Sequence, residues 1–291
     1  IYPDAIGVRK PTWKTGTLGG PRQFQESLPF TNPDQFNNDV VEKEFCTVAN
    51  MQGEQLTLRF VEDPAKEIEG VPEKLTIQRY NFRSAYNPVI IYEPENRMRY
   101  VKDRDIRGYD RPGACNHWPV GQARCDGRTV QTADRPTHFL GFPISSPPVH
   151  EKEGRSWWNG IYGMTDLPME KLVTLARSWN YPPALQLSDG FQDQGYDRGQ
   201  RALVLNRLGR PTDGVKIKFA ASEGSPVYNP ALVILGWGSC GAVVTIDGKE
   251  MSQGPKLRVG HRHGLDGSDL IIWLERKAIA PFEVTLTPKG L

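Results

Sequence analysis

The chain has 291 residues, with 36 Lys and Arg against 34 Asp and Glu for a net charge of +2. That balance excludes the broad basic footprint of a dedicated nucleic-acid binder, so an acidic partner must be met locally. No run approaches the ~20 apolar residues of a bilayer span, and the opening Ile1-Tyr-Pro-Asp4 has neither a basic nor an apolar leader pattern, so the chain reads as soluble. The absence of an initiator Met implies a processed product or a piece of a longer polypeptide.

The 29 glycines and 24 prolines stand well above the roughly 12% that the two residues average together. An excess of turn formers favours short strands, and the expected fold class is mainly β: antiparallel β-sandwich modules joined by one short helix. In chain order, residues 1–40 are polar and rich in Pro and Gly. Residues 45–62 and 74–82 alternate as strands do, as at Leu56, Leu58 and Phe60. Residues 89–92 and 97–101 are predicted to form a hairpin about Glu93-Pro-Glu-Asn96.

Thr165-Asp-Leu-Pro168 reads as a helix start, with Met169, Leu172, Val173 and Ala176 on one face and Pro182-Pro183 as the stop. Beyond it, strands are predicted at 201–205, 214–220, 231–236, 242–246, 270–274 and 282–286, with turns at Asp247-Gly248 and Asp266-Gly267. The expected organisation is a β-rich domain over 1–165, a helical connector over 166–183 and a smaller antiparallel sandwich over 184–291.

The densest chemistry lies in residues 109–139. Cleavage of a uronate-containing polysaccharide by β-elimination needs a base for the C5 proton, an acid for the leaving oxygen and a cation or amide for the carboxylate. His117 and Tyr109 are the leading proton-transfer pair, with His138 a second group titrating near neutrality. Asn116, Gln122, Arg124, Arg128 and Arg135 are candidates for holding the acid, and Trp118 for stacking on a sugar face. The same histidines and arginines would serve equally in a structural ion-pair network with Asp110, Asp126 and Asp134.

Arg155-Ser-Trp-Trp-Asn-Gly-Ile-Tyr162 offers Trp157 and Trp158 as a sugar platform, or as core beneath the helix. Tyr80, Arg83 and Tyr86 either line a cleft or alternate along an ordinary strand, and His261-Arg-His263 reads as a solvated hairpin in preference to an exposed turn that binds an anion or metal. No phosphate loop, dinucleotide fingerprint or Gly-x-Ser-x-Gly elbow occurs. No cofactor is expected. A divalent metal held by His117 and His138 with Asp126 or Asp134 stays open, although their separation is no recognised ligand spacing. Cys46, Cys115, Cys125 and Cys240 lack paired spacing; Cys115 and Cys125 are either bridged or free.

The strings Cys115-Asn-His-Trp-Pro-Val-Gly-Gln122, Asp126-Gly-Arg128, Asp134-Arg-Pro-Thr-His138, Trp158-Asn-Gly-Ile-Tyr-Gly-Met-Thr165 and Leu175-Ala-Arg-Ser-Trp179 resemble those of large secreted bacterial proteins of marine polysaccharide breakdown. Part of the set is similar to ulvan-type polysaccharide lyases, over roughly residues 75–290. The resemblance implies a secreted or periplasmic protein acting on an acidic polysaccharide, as the C-terminal β-rich part of a longer enzyme. Such an enzyme's missing part would then be a partner in the active site. The alternatives are a non-catalytic carbohydrate-binding sandwich and a structural subunit of an extracellular assembly.

Overall fold

A computed structural model describes residues 2–14, 16, 32, 37–58, 70–102, 141–210 and 213–289. The chain is mainly β, built from several antiparallel sheets. Its contacts divide into two compact units, Arg9–Val173 and Ile1–Val8 with Thr174–Leu291. The division falls inside the helix, and the first residues of the chain group with its C-terminal part.

Strand β1 is Ile6–Arg9. In the unit spanning Arg9–Val173 there follow β2 (Thr12–Lys14), helix α1 (Asn37–Val40), β3 (Val41–Ala49), β4 (Gln55–Leu58), β5 (Ile77–Phe82), β6 (Asn87–Tyr92), β7 (Arg97–Lys102), β8 (Gly141–Ser146), β9 (His150–Lys152), β10 (Arg155–Trp157) and β11 (Gly160–Thr165). The main sheet runs β11-β6-β5-β3-β4. Val89, Ile90, Ile91 and Tyr92 of β6 are all buried, as a strand covered on both faces requires. Asn50 closes the β3–β4 turn: its Oδ1 accepts from the backbone N–H groups of Gln52 and Glu54, both at 3.0 Å. A three-stranded sheet, β2-β10-β9, lies in the same unit. Its β9–β10 turn carries positive φ at Glu153 (52°) and Gly154 (72°), the backbone of a tight two-residue hairpin.

The hairpin expected over 89–101 does not form. Its turn does, with the Asn96 N–H donating to the Glu93 carbonyl at 3.0 Å. The two arms then part: β6 pairs with β5 and β11, whereas β7 pairs with β8 in a separate two-stranded sheet. Pairing across the sheet outweighs proximity in sequence, because only a central place buries both faces of the apolar Val89–Tyr92 run.

Helix α2 (Met169–Asn180) matches the predicted periodicity, with Met169, Leu172, Val173 and Ala176 buried together with Leu175 and Trp179. Thr165 Oγ1 accepts from the Leu167 N–H at 3.0 Å, shaping the approach to the first turn. The last turn closes with the Tyr181 N–H on the Arg177 carbonyl, just before Pro182 and Pro183.

The other unit continues with β12 (Leu185–Leu187), β13 (Phe191–Asp197), β14 (Ala202–Arg207), β15 (Val215–Phe219), β16 (Val227–Tyr228), β17 (Ala231–Leu235), β18 (Gly241–Ile246), β19 (Lys249–Met251), β20 (Leu257–Gly264), β21 (Gly267–Leu274), β22 (Lys277–Ala278) and β23 (Phe282–Lys289). Two five-stranded sheets, β12-β15-β23-β18-β19 and β13-β14-β17-β21-β20, enclose one core. Val215, Ile217 and Phe219 point into it from β15, while Lys216 and Lys218 alternate outward. Leu203 and Leu205 reach it from the facing sheet, and Phe219 stacks on Phe282 with ring centroids 4.6 Å apart. Asp247 (φ 50°) and Gly248 (φ 80°) make the predicted β18–β19 turn.

Among the described strands, this sandwich departs from a purely antiparallel arrangement in one place. β14 and β17 pair in parallel, Ala202 opposite Ala231, because the connection between them crosses through β15 of the other sheet and returns. Asp4 belongs to the same unit: its carboxylate lies 2.7 Å from the Arg201 guanidinium and accepts from Asn229 Nδ2 at 3.2 Å. His261, Arg262 and His263 lie at the surface in the β20–β21 hairpin, in line with the solvated hairpin expected there. These residues lie within β20, paired residue by residue with β21, and the loop is the following Leu265-Asp266.

Candidate active site

His117, Tyr109, His138, Asn116, Gln122, Arg124, Arg128, Trp118 and Arg135 lie outside the described residues, as do Cys115 and Cys125. The Trp157 and Trp158 region is described, and it brings together groups that lie far apart in sequence.

At its centre is Glu93, which follows β6 and is completely buried. A carboxylate there must be satisfied by donors, since an unpaired buried charge is costly. His150, first residue of β9, supplies one: its Nε2 lies 3.0 and 2.9 Å from the two Glu93 oxygens. Asn159 Nδ2 donates to the same carboxylate at 3.5 Å. His150 remains 35% exposed at its side chain, so one ring nitrogen is held from behind while the ring edge meets solvent. An ionised carboxylate only accepts, so Nε2 is the donor in this pair.

The hairpin β9–β10 places Trp157 directly across from His150, and the two rings stack with centroids 5.7 Å apart and an interplanar angle of 29°. The half-buried indole has the Lys10 ammonium 5.0 Å above its ring centroid. Carboxylate, imidazole, indole and ammonium thus form a continuous line from the buried end of β6 to solvent.

Trp158, the next residue, points to the other face of the strand and is only 3% exposed. Arg9 lies over both the Trp158 and Tyr162 rings, at 5.4 and 5.5 Å. Burial pushes the Tyr162 phenol above its ordinary range, and Arg9 partly offsets this, so the phenol stays protonated at neutral pH. Of the two expected platform residues, Trp157 presents its ring beside a histidine, and Trp158 packs in the interior.

Tyr80 is half-buried on β5, Tyr86 is exposed in the turn after it, and Arg83 is exposed with its Nε 3.5 Å from Glu42. In the other unit, His261 Nε2 donates to the Cys240 carbonyl at 3.0 Å, and His263 Nδ1 meets Ser268 Oγ at 2.7 Å. The two rings are nearly parallel, with centroids 5.9 Å apart. Cys46 and Cys240 are free thiols; burial pushes that of Cys46 far above its usual value, which makes it unreactive. Among the described residues, no group of three or more His, Cys, Asp and Glu side chains converges as a metal site, and no helix is long and apolar enough to cross a membrane.

Sequence reasoning did not single out Glu93 or His150. Glu93 was read as a turn residue and His150 lies just beyond Pro147-Pro148; they are 57 positions apart, and only the β6 and β9 placements join them. A carboxylate ending an otherwise apolar strand was the one available signal, because such a residue needs a buried partner. In comparisons with known proteins, the chain matches no family model, no curated protein and no solved structure.

Proposed function

We propose that the chain is a carbohydrate-active protein, a lyase that cleaves a uronate-containing polysaccharide by β-elimination and works outside the cytoplasm. The observation that supports this reading best is the half-buried His150 imidazole, held through Nε2 by buried Glu93 and stacked beside Trp157 under Lys10.

In this reading Trp157 takes the apolar face of a sugar ring and Lys10 attracts the uronate carboxylate, lowering the cost of carbanion character at C5. Nδ1 of His150 accepts the C5 proton. The electron pair of that C–H bond forms the C4–C5 double bond, the C4–O bond breaks, and the leaving oxygen takes a proton from an acid. Tyr109 is the sequence candidate for that acid, and His117 and His138 are further candidates for proton transfer. Glu93 is a positioning residue: it fixes the tautomer and stabilises the imidazolium as it forms.

The test is ultraviolet absorbance of the unsaturated uronate during incubation with ulvan, alginate, pectate and glycosaminoglycans. One substrate gives a rise, and His150→Ala lowers its rate by about 10²–10⁴-fold, the range of a general base. A flat trace with every substrate rejects the lyase reading. The second reading, a carbohydrate-binding module without turnover, draws on the half-buried Trp157 ring capped by a cation; it predicts glycan affinity that Trp157→Ala abolishes.

A further inference from the structure

The unit containing His150 has a second feature that this corner does not use. An open cleft of about 450 Å³ is lined by Glu42, Glu44, Arg79, Asn81, Arg83 and Asn87, with Phe82 as its aromatic member. It touches Asn87, the first residue of β6, whereas Glu93 follows the last, so the two features stand ~20 Å apart along that strand.

The cleft has a fixed wall and a free rim. Arg79 donates from Nη1 to the Leu167 carbonyl at 3.1 Å and from Nε to Asn81 Oδ1 at 3.2 Å. The Asn81 amide donates in turn to the Glu44 carbonyl at 2.6 Å and to Thr47 Oγ1 at 3.1 Å. Asn87 Oδ1 accepts from the Phe82 N–H at 2.6 Å, leaving its amide nitrogen as a donor. At the rim, Arg83 and Glu42 form a long pair at 3.5 Å with side chains 48% and 45% exposed, an interaction worth little in water and readily exchanged for a ligand. The Glu44 side chain is exposed, and among the described residues nothing bonds its carboxylate.

Among the described residues of the lining, two guanidiniums stand with two carboxylates, so their charges cancel and give an anion no advantage. It offers donors and acceptors side by side, which is what vicinal hydroxyl groups require, since each hydroxyl both donates and accepts. Phe82 adds one partly buried apolar surface of the kind a sugar C–H face covers.

We infer that this cleft is a subsite for an uncharged sugar unit, separate from the corner around His150. The inference rests on the carbohydrate-active reading and adds to it a substrate class: a glycan in which neutral residues accompany the uronates.

The experiment is binding of the full chain to an array of neutral and uronate-containing oligosaccharides, comparing wild type, Glu44→Gln with Arg83→Ala, and His150→Ala. Both cleft side chains are exposed, so the double variant folds, which circular dichroism verifies. The wild type binds a neutral series, the double variant loses at least about tenfold in affinity for it, about 1.4 kcal/mol, and His150→Ala retains it. The inference is overturned by binding of uronate oligosaccharides alone, by no binding at all, or by neutral binding that the double variant leaves intact. A failed lyase reading gives a different pattern, a flat ultraviolet trace with neutral binding preserved.

Discussion

The two units bury different things. The one holding the C-terminal strands closes a core of Leu, Ile, Val, Phe and Trp between two sheets, and its histidines sit at a sheet edge against a backbone carbonyl and a serine hydroxyl. The unit spanning Arg9–Val173 buries a carboxylate and turns the imidazole that satisfies it toward solvent. A histidine held by a carbonyl gains orientation only. His150 is held instead by a buried carboxylate, with its ring stacked beside Trp157. Under the proposed lyase reading, the contrast assigns the reactive chemistry to the unit that holds His150 and a scaffold role to the other.

The largest expected effect tests the reactive side: Glu93→Gln, which keeps shape and removes charge, lowers turnover by about 10²-fold or more while KM changes little, measured in steady-state assays. If KM rises and kcat holds, Glu93 serves binding and the contrast weakens. Next comes the scaffold. Trp179 is fully buried and donates its indole N–H to the Arg198 carbonyl at 3.1 Å, so Trp179→Ala costs about 3–5 kcal/mol in denaturant unfolding. Asp4→Ala leaves Arg201, 4% exposed, without its carboxylate and costs about 3 kcal/mol in the same assay.

A smaller effect concerns pH. Burial raises the Cys46 thiol and the Tyr162 phenol above their ordinary 9.0 and 10.0, so both favour the protonated form when folded. Their contribution to stability is fully present below about pH 9 and is lost as pH rises beyond it, because the unfolded chain ionises first. Thermal midpoints therefore fall on the alkaline side, and Cys46→Ala removes part of the fall. The smallest effect is at Arg262, whose exposed pair with Asp269 at 2.9 Å is worth about 0.2–1 kcal/mol, and Arg262→Ala shifts unfolding by no more.

Local periodicity made the scaffold legible. The apolar face of α2 and the strands around residues 202–207, 215–219, 231–235, 241–246, 267–274 and 282–289 follow from alternation that the core reads directly. The parallel β14–β17 pair was not legible, because it depends on which sheet each strand joins. Nor was the fate of Glu93-Pro-Glu-Asn96: its turn is encoded locally, but the partners of β6 and β7 are distant. The candidate site follows the same rule. Trp157 was visible as an aromatic, while its significance comes from His150 across the hairpin and Glu93 behind it, contacts no sequence spacing announces. His117, Tyr109 and their neighbours, on which the sequence reading centred, fall outside the described residues.

The most direct test of the central claim is to follow the imidazole resonances of His150 by NMR while titrating the chain with uronate oligosaccharides. The account predicts that the signals of the His150 ring move with ligand concentration, centred on Nδ1, while those of His261 and His263 stay fixed. A His150 ring that does not respond to any uronate ligand, or a response confined to His261 and His263, would contradict it and make the Glu93–His150 pair a structural ion pair.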